Sequence, residues 1–121
     1  TSQTGTTGTV GNTAVGFQSA LLLTSGTQNT IIGDRAGYTN QTGVSNTYVG
    51  ANAGYGGAGS EANNTGMGKD ALVAITDGGA NTVIGSYAGK ALTTGDSNVF
   101  IGNDAADSLT AGSNIIAMGQ A

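Results

Sequence analysis

Asn29-Thr30-Ile31-Ile32-Gly33 is the phrase whose recurrence decides the fold. It returns as Asn12-Thr13-Ala14-Val15-Gly16, Asn46-Thr47-Tyr48-Val49-Gly50, Asn64-Thr65-Gly66-Met67-Gly68, Asn81-Thr82-Val83-Ile84-Gly85 and Asn98-Val99-Phe100-Ile101-Gly102, with a degenerate copy ending at Met118-Gly119. The closing glycines stand at Gly16, Gly33, Gly50, Gly68, Gly85, Gly102 and Gly119, so every step is 17 residues except the third, which is 18. A second ladder follows ten residues behind the first, at Gly26, Gly43, Gly78, Gly95 and Gly112. A small residue sits three places after each closing glycine: Ser19, Ala36, Ala53, Ala71, Ala88 and Ala105. A fixed period of this length marks a solenoid, in which each repeat packs only on its neighbours.

Each phrase reads as a short strand, because β-branched and aromatic residues fill it and glycine ends it. Glycine at this density disfavours helix by roughly 0.5–1 kcal/mol per residue. Two short strands and two glycine-rich turns would use up 17 residues. The expected fold is therefore an all-β parallel β-roll or β-solenoid of about seven coils, a single repeat domain over residues 1–121. Coils stacked about 4.8 Å apart make a rod of about 30 Å. Thr1 to Gly11 reads as the second half of a coil, so the sequence looks like a segment of something longer.

Period-two alternation assigns faces within the strand. The column before the closing glycine is apolar in every copy: Val15, Ile32, Val49, Met67, Ile84, Ile101 and Met118. That regularity predicts the coil core. The threonine column two places earlier shares its face, and Val99 and Ile116 replace threonine there. The column between them, with Ile31, Tyr48, Val83 and Phe100, points the other way and is also mostly apolar. A strand apolar on both faces needs cover on both. The expectation is that Ile31, Tyr48, Val83 and Phe100 form a subunit interface, most simply around a three-fold axis in a homotrimer. The asparagines preceding each strand form their own ladder and are expected to hydrogen-bond from coil to coil. The 18-residue coil carries its extra residue near Tyr55, Gly56, Gly57, Ser60 and Glu61, which read as a surface loop; insertions in solenoids collect on one face.

The chain has 23 glycines in 121 residues and no proline, cysteine, histidine or tryptophan. Missing histidine and cysteine remove the usual acid–base, thiol and zinc apparatus. Ser86 and Lys90 lack a third group to make a nucleophile of the serine. Gly54-Tyr55-Gly56-Gly57-Ala58-Gly59 matches the G-x-G-x-x-G string without a helix to follow it. The carboxylates share no column, and Gly78-Gly79 stands alone where a calcium roll needs repetition. No catalytic residue, cofactor or metal is expected. A net charge of −4 with three basic residues argues against a nucleic-acid partner. The longest apolar run, Ala20 to Leu23, is too short for a membrane span.

The phrase Asn-Thr-Ala-Val-Gly-Phe-Gln-Ser-Ala at residues 12–20, returning with Asn-Thr-Φ-Φ-Gly through residue 119, resembles the head repeats of trimeric autotransporter adhesins. It is also similar to repeats in phage tail-fibre shafts. The period here is longer than is typical of the adhesin heads. The resemblance implies a homotrimeric left-handed β-roll serving as a stiff, non-enzymatic stalk or adhesive head outside the cell, on a cell or virion surface. Implied partners are other copies of the chain, stacked end to end in a filament if the ends are open, and a host receptor or surface glycan. An alternative is a monomeric solenoid whose threonine columns, Thr13-Thr30-Thr47-Thr65-Thr82 and Thr24-Thr76-Thr93-Thr110, bind a regular surface such as ice.

Overall fold

The structure, a computed structural model, describes residues 11–56 and 59–120. It is a parallel β-solenoid. Seven three-residue strands, β1 (Thr13–Val15), β2 (Thr30–Ile32), β3 (Thr47–Val49), β4 (Thr65–Met67), β5 (Thr82–Ile84), β6 (Val99–Ile101) and β7 (Ile116–Met118), form one sheet in chain order. Register never slips: Thr30 pairs with Thr47 and Thr47 with Thr65, so the 18-residue coil keeps the stack aligned. The expected half-coil before Asn12 and the expected loop residue Gly57 lie outside the described residues, apart from Gly11.

The expected second strand is reduced to single bridges, Thr27 to Val44 and Val44 to Ala62. The backbone dihedrals explain why. The residue directly after each bridging position has positive φ (Gln28, Ser45, Asn63), as do the residue two places past each closing glycine (Gln18, Arg35, Asn52, Asp70, Tyr87, Asp104) and the residue four places past it (Ala20, Gly37, Gly54, Leu72, Gly89, Ala106). Alternation with left-handed residues curls the chain where a strand would extend it. None of these residues is β-branched, the class for which that region is most costly. The closing glycine itself is obligatory. At Gly33 φ is +139° and a Cβ would lie 2.4 Å from the Gly50 carbonyl oxygen. Coils therefore approach through bare backbone at this corner.

The interior is the reverse of what alternation alone suggested. Ile31, Tyr48, Val83 and Phe100 are not on an outer face; they are buried inside the coil with Ala14, Leu72, Ile75 and Leu92. The expected core column faces outward: Val15, Ile32, Met67, Ile84, Ile101 and Met118 are exposed and Val49 is half-buried. The coil bends toward the side on which the middle residue of each strand projects. A Cβ at Gly37 would lie 2.9 Å from Ile31 and one at Gly54 2.5 Å from the Tyr48 ring, so these bare corners sit directly against the middle residues.

Side-chain volume is traded within each coil. The strand's middle residue and the residue six places later share one space: Ile31 faces Gly37, Tyr48 faces Gly54, and Val83 lies beside Gly89. In the fourth coil the partners exchange size, with Gly66 in the strand and Leu72 opposite; Leu72 Cδ1 would lie 3.5 Å from a Cβ at Gly66. A second trade joins Leu23 to Gly26, Ile75 to Gly78 and Leu92 to Gly95, where a Cβ on the glycine would lie 2.6–2.8 Å from the partner's methyl. Close packing of this kind makes each coil's interior complete within one chain.

The asparagines run through this interior as a continuous ladder, as their spacing predicted. The backbone N–H groups of Asn29, Asn46, Asn64, Asn81, Asn98 and Ile115 each donate to the side-chain oxygen of the preceding asparagine, at 2.8–3.0 Å. Each side-chain amide in turn donates to the carbonyl fourteen or fifteen residues on, from Asn12 to Gly26 through Asn98 to Gly112. Both ends of each amide are thereby paired, which is what permits burial of a polar group in every coil.

Candidate functional site: the outer face of the sheet

Two residues from each strand project outward. Together they make one continuous face: Thr13, Thr30, Thr47, Thr65, Thr82, Val99 and Ile116 in one column, and Val15 through Met118 in the other. No charged residue belongs to it. Within the stack Ile32, Met67, Ile84 and Ile101 are 37–41% exposed. Isolated exposed apolar residues are ordinary, but a contiguous apolar array marks a contact surface.

Charge is gathered elsewhere. Arg35 pairs with Asp34 at 3.5 Å, Lys69 with Asp70 at 3.8 Å and Lys90 with Asp107 at 3.0 Å, all beyond the closing glycines. Lys69 Nζ also donates to the Tyr87 hydroxyl at 2.9 Å, which pushes its pKa up, and Asp107 does the same for Lys90. Such exposed pairs contribute little stability. Lys90 is committed to Asp107, and the Ser86 hydroxyl points to the Lys69 carbonyl at 3.5 Å, so the two are not joined in a nucleophile pair. Among the described residues no cluster of three or more acidic side chains could hold a metal ion. Nor is any helix there long and apolar enough to cross a membrane.

No family model, curated protein or solved structure matches this chain.

The two threonine columns differ in kind. The hydroxyls of Thr24, Thr76 and Thr93 donate to the carbonyls of Gln41, Thr93 and Thr110 in the following coil, at 2.9–3.0 Å. That column is spent on holding coils together. The strand threonines lie instead on the outer sheet face beside the aliphatic column.

The expected surface loop divides. Ser60 is exposed, and Tyr55 stacks on Tyr38 with ring centroids 5.1 Å apart. Glu61 is fully buried, contrary to its reading as a loop residue. It occupies the column held by glycine at Gly26, Gly43, Gly78, Gly95 and Gly112, as its carbonyl shows by accepting the ladder amide of Asn46 at 3.0 Å. Its side chain is thereby directed inward. Burial pushes its carboxyl up to about 8, with the Asp77 charge adding to the effect. Burial, and after it the Glu61 charge, holds the Tyr48 phenol far above its usual range. The repetition itself signalled this: one carboxylate stands in a column otherwise made of glycine.

Proposed function

We propose that the chain is a segment of a rigid, non-catalytic fibre that associates through the outer face of its sheet, most simply as a homotrimer, and works outside the cell as a stalk or adhesive element. The observation that carries this reading is the contrast between the two faces of each strand. The inward column swings in size from glycine to tyrosine, because compensation occurs within the same coil. The outward column keeps one size and character, valine, isoleucine or methionine, along the whole stack. A surface of constant character and period fits a partner of the same period, which another copy of the chain supplies. The stacked backbone pairing gives the stiffness. A host receptor or surface glycan would be met by the remaining polar faces.

Sedimentation of the chain at micromolar concentration tests this directly. A trimer is expected, dispersed to monomer by Ile32→Glu with Ile84→Glu, while circular dichroism stays unchanged. A wild-type monomer at that concentration refutes self-association.

One observation favours a second reading. The strand threonines stand on the exposed face beside valine and isoleucine, repeating every coil, so a monomer would present a flat array of hydroxyl and methyl groups. Such an array suits an ordered surface such as ice. Thermal hysteresis above buffer, abolished by the same two glutamates, would establish it.

A further inference from the structure

The third coil holds the only buried carboxylate among the described residues, and polar atoms without partners occur in it and in the coil before it. Both Glu61 oxygens, the Tyr48 hydroxyl and the Asn40 side-chain nitrogen are buried without a hydrogen bond. Buried polar groups are almost always paired, so such a concentration demands a reason. The columns supply the geometry. Asn40 stands where Leu23, Ile75 and Leu92 stand in other coils, seven places after the closing glycine, and Glu61 projects inward from the glycine column one coil further on. Tyr48 is the middle residue of β3 in the same coil and projects into the same interior.

The electrostatic surroundings favour a neutral carboxyl. From β3 Glu61 meets Tyr48, a neutral phenol; from the following coil it meets Asp77, a like charge. The preceding coil offers Asn40 and Gly43, and its own coil the ladder residues Asn46 and Asn64, none of them titratable. The chain's three cations are paired with Asp34, Asp70 and Asp107. Nothing positive faces the site to hold a carboxylate there.

We infer that Glu61, with Tyr48 beside it, is a proton-dependent joint within the rod, closed while the carboxyl is protonated and opened at the third coil when it ionises. Opening is confined to the return segment bearing Glu61, whose bonds are those of residues 59–63: Val44 N–H to the Glu61 carbonyl at 3.2 Å, Asn46 side-chain N–H to the same oxygen at 3.0 Å, Asn63 N–H to the Val44 carbonyl at 3.0 Å, Ala80 N–H to the Ala62 carbonyl at 2.9 Å, Ser60 N–H to the Asp77 carboxylate at 3.3 Å and the Thr42 hydroxyl to the Gly59 carbonyl at 3.0 Å. An ionised Glu61 must reach water, and leaving the interior carries these bonds with it. The coils on either side keep their own interiors.

The folded carboxyl titrates near 8 and the opened one near the ordinary 4.5. The closed form therefore binds the extra proton between those values, and its stability falls as pH rises through that window and levels off above 8. Between pH 6.5 and 9, one-proton linkage with these values raises the opening constant about thirtyfold. The test is hydrogen exchange by mass spectrometry on the intact chain at fixed concentration, comparing wild type with Glu61→Gln at each pH. The isosteric amide cannot ionise. At pH 9 the peptide spanning residues 59–66 should exchange about thirtyfold faster relative to Glu61→Gln than it does at pH 6.5, while residues 94–102 should behave alike in both. The wild-type carboxyl followed by carbon-13 NMR should titrate well above 6. Equal exchange of the two proteins at pH 9, or a Glu61 carboxyl titrating near 4.5, overturns the inference; the NMR arm decides even if the variant fails to fold.

Discussion

If inward volume is shared between the middle of each strand and the residue six places later, the fourth coil can be rebuilt as the fifth. The perturbation is Gly66→Val with Leu72→Gly, which copies the Val83–Gly89 arrangement. Alone, Gly66→Val places a side chain 3.1 Å from the Tyr48 ring and 3.5 Å from Leu72 Cδ1, and the overpacking costs about 1–3 kcal/mol. Alone, Leu72→Gly empties a site that is 0% exposed, at about 3–5 kcal/mol for the lost burial and cavity. Part of that is returned, because Leu72 holds φ of +52° and glycine relieves roughly 1 kcal/mol of left-handed strain. Together the new valine fills the vacated space. The double variant should then lie roughly 2–3 kcal/mol above the sum of the singles, within the range for contacting residues. Urea denaturation of the four proteins at one concentration measures the coupling. Additivity within about 0.5 kcal/mol, the behaviour of independent sites, would refute shared volume as the rule of this interior.

Further outcomes test other features of the stack. Gly54→Ala should cost more than about 3 kcal/mol, since it combines φ of +55° with a Cβ 2.5 Å from the Tyr48 ring; a thermal midpoint within a few degrees of wild type would contradict the packing. Asn64→Ala should cost about 2–4 kcal/mol, because it strands the Asn81 N–H and the Gly78 carbonyl, both buried ladder partners; calorimetry checks it. Glutamate at Ile32 and Ile84 should leave the monomer's fold intact and abolish association, read by sedimentation. Wild type should lose stability from about pH 5 up to about pH 8 while Glu61→Gln does not, read from urea midpoints across that range.

The period, the parallel stack, its register across the 18-residue coil and the asparagine ladder were all legible, because each is a one-dimensional property that repetition prints directly into the chain. Which face is inside was not legible from period two alone, because alternation separates Ile31 from Ile32 without saying which side the coil closes on. Uniformity misled: Val15 through Met118 look like a core because they never vary. Interiors of stacked coils are free to vary when a neighbour compensates, as Gly66 and Leu72 do. The signal that could have decided the matter lay six residues away, where glycine follows isoleucine, tyrosine and valine, and leucine follows glycine. The second strand failed for a different reason. Left-handed residues curl the stretch after each closing glycine, as at Arg35, Asn52 and Asp70, and end each bridge, as at Gln28, Ser45 and Asn63, with a φ that no propensity scale registers.

Turning the faces over changes the terms of the proposed association. Had Tyr48 and Phe100 met a neighbour, separating the subunits would have exposed large aromatics, and the monomer would have been unstable by itself. With those rings sealed inside each coil, the fold depends on within-chain packing, and the proposed association would rest on the threonine, valine, isoleucine and methionine outside. Stability and assembly are therefore separable by mutation. A glutamate at Ile84 is expected to act on the proposed assembly, and an alanine at Gly54 on the fold. A chain whose melting and sedimentation always changed together would show that this division is mistaken.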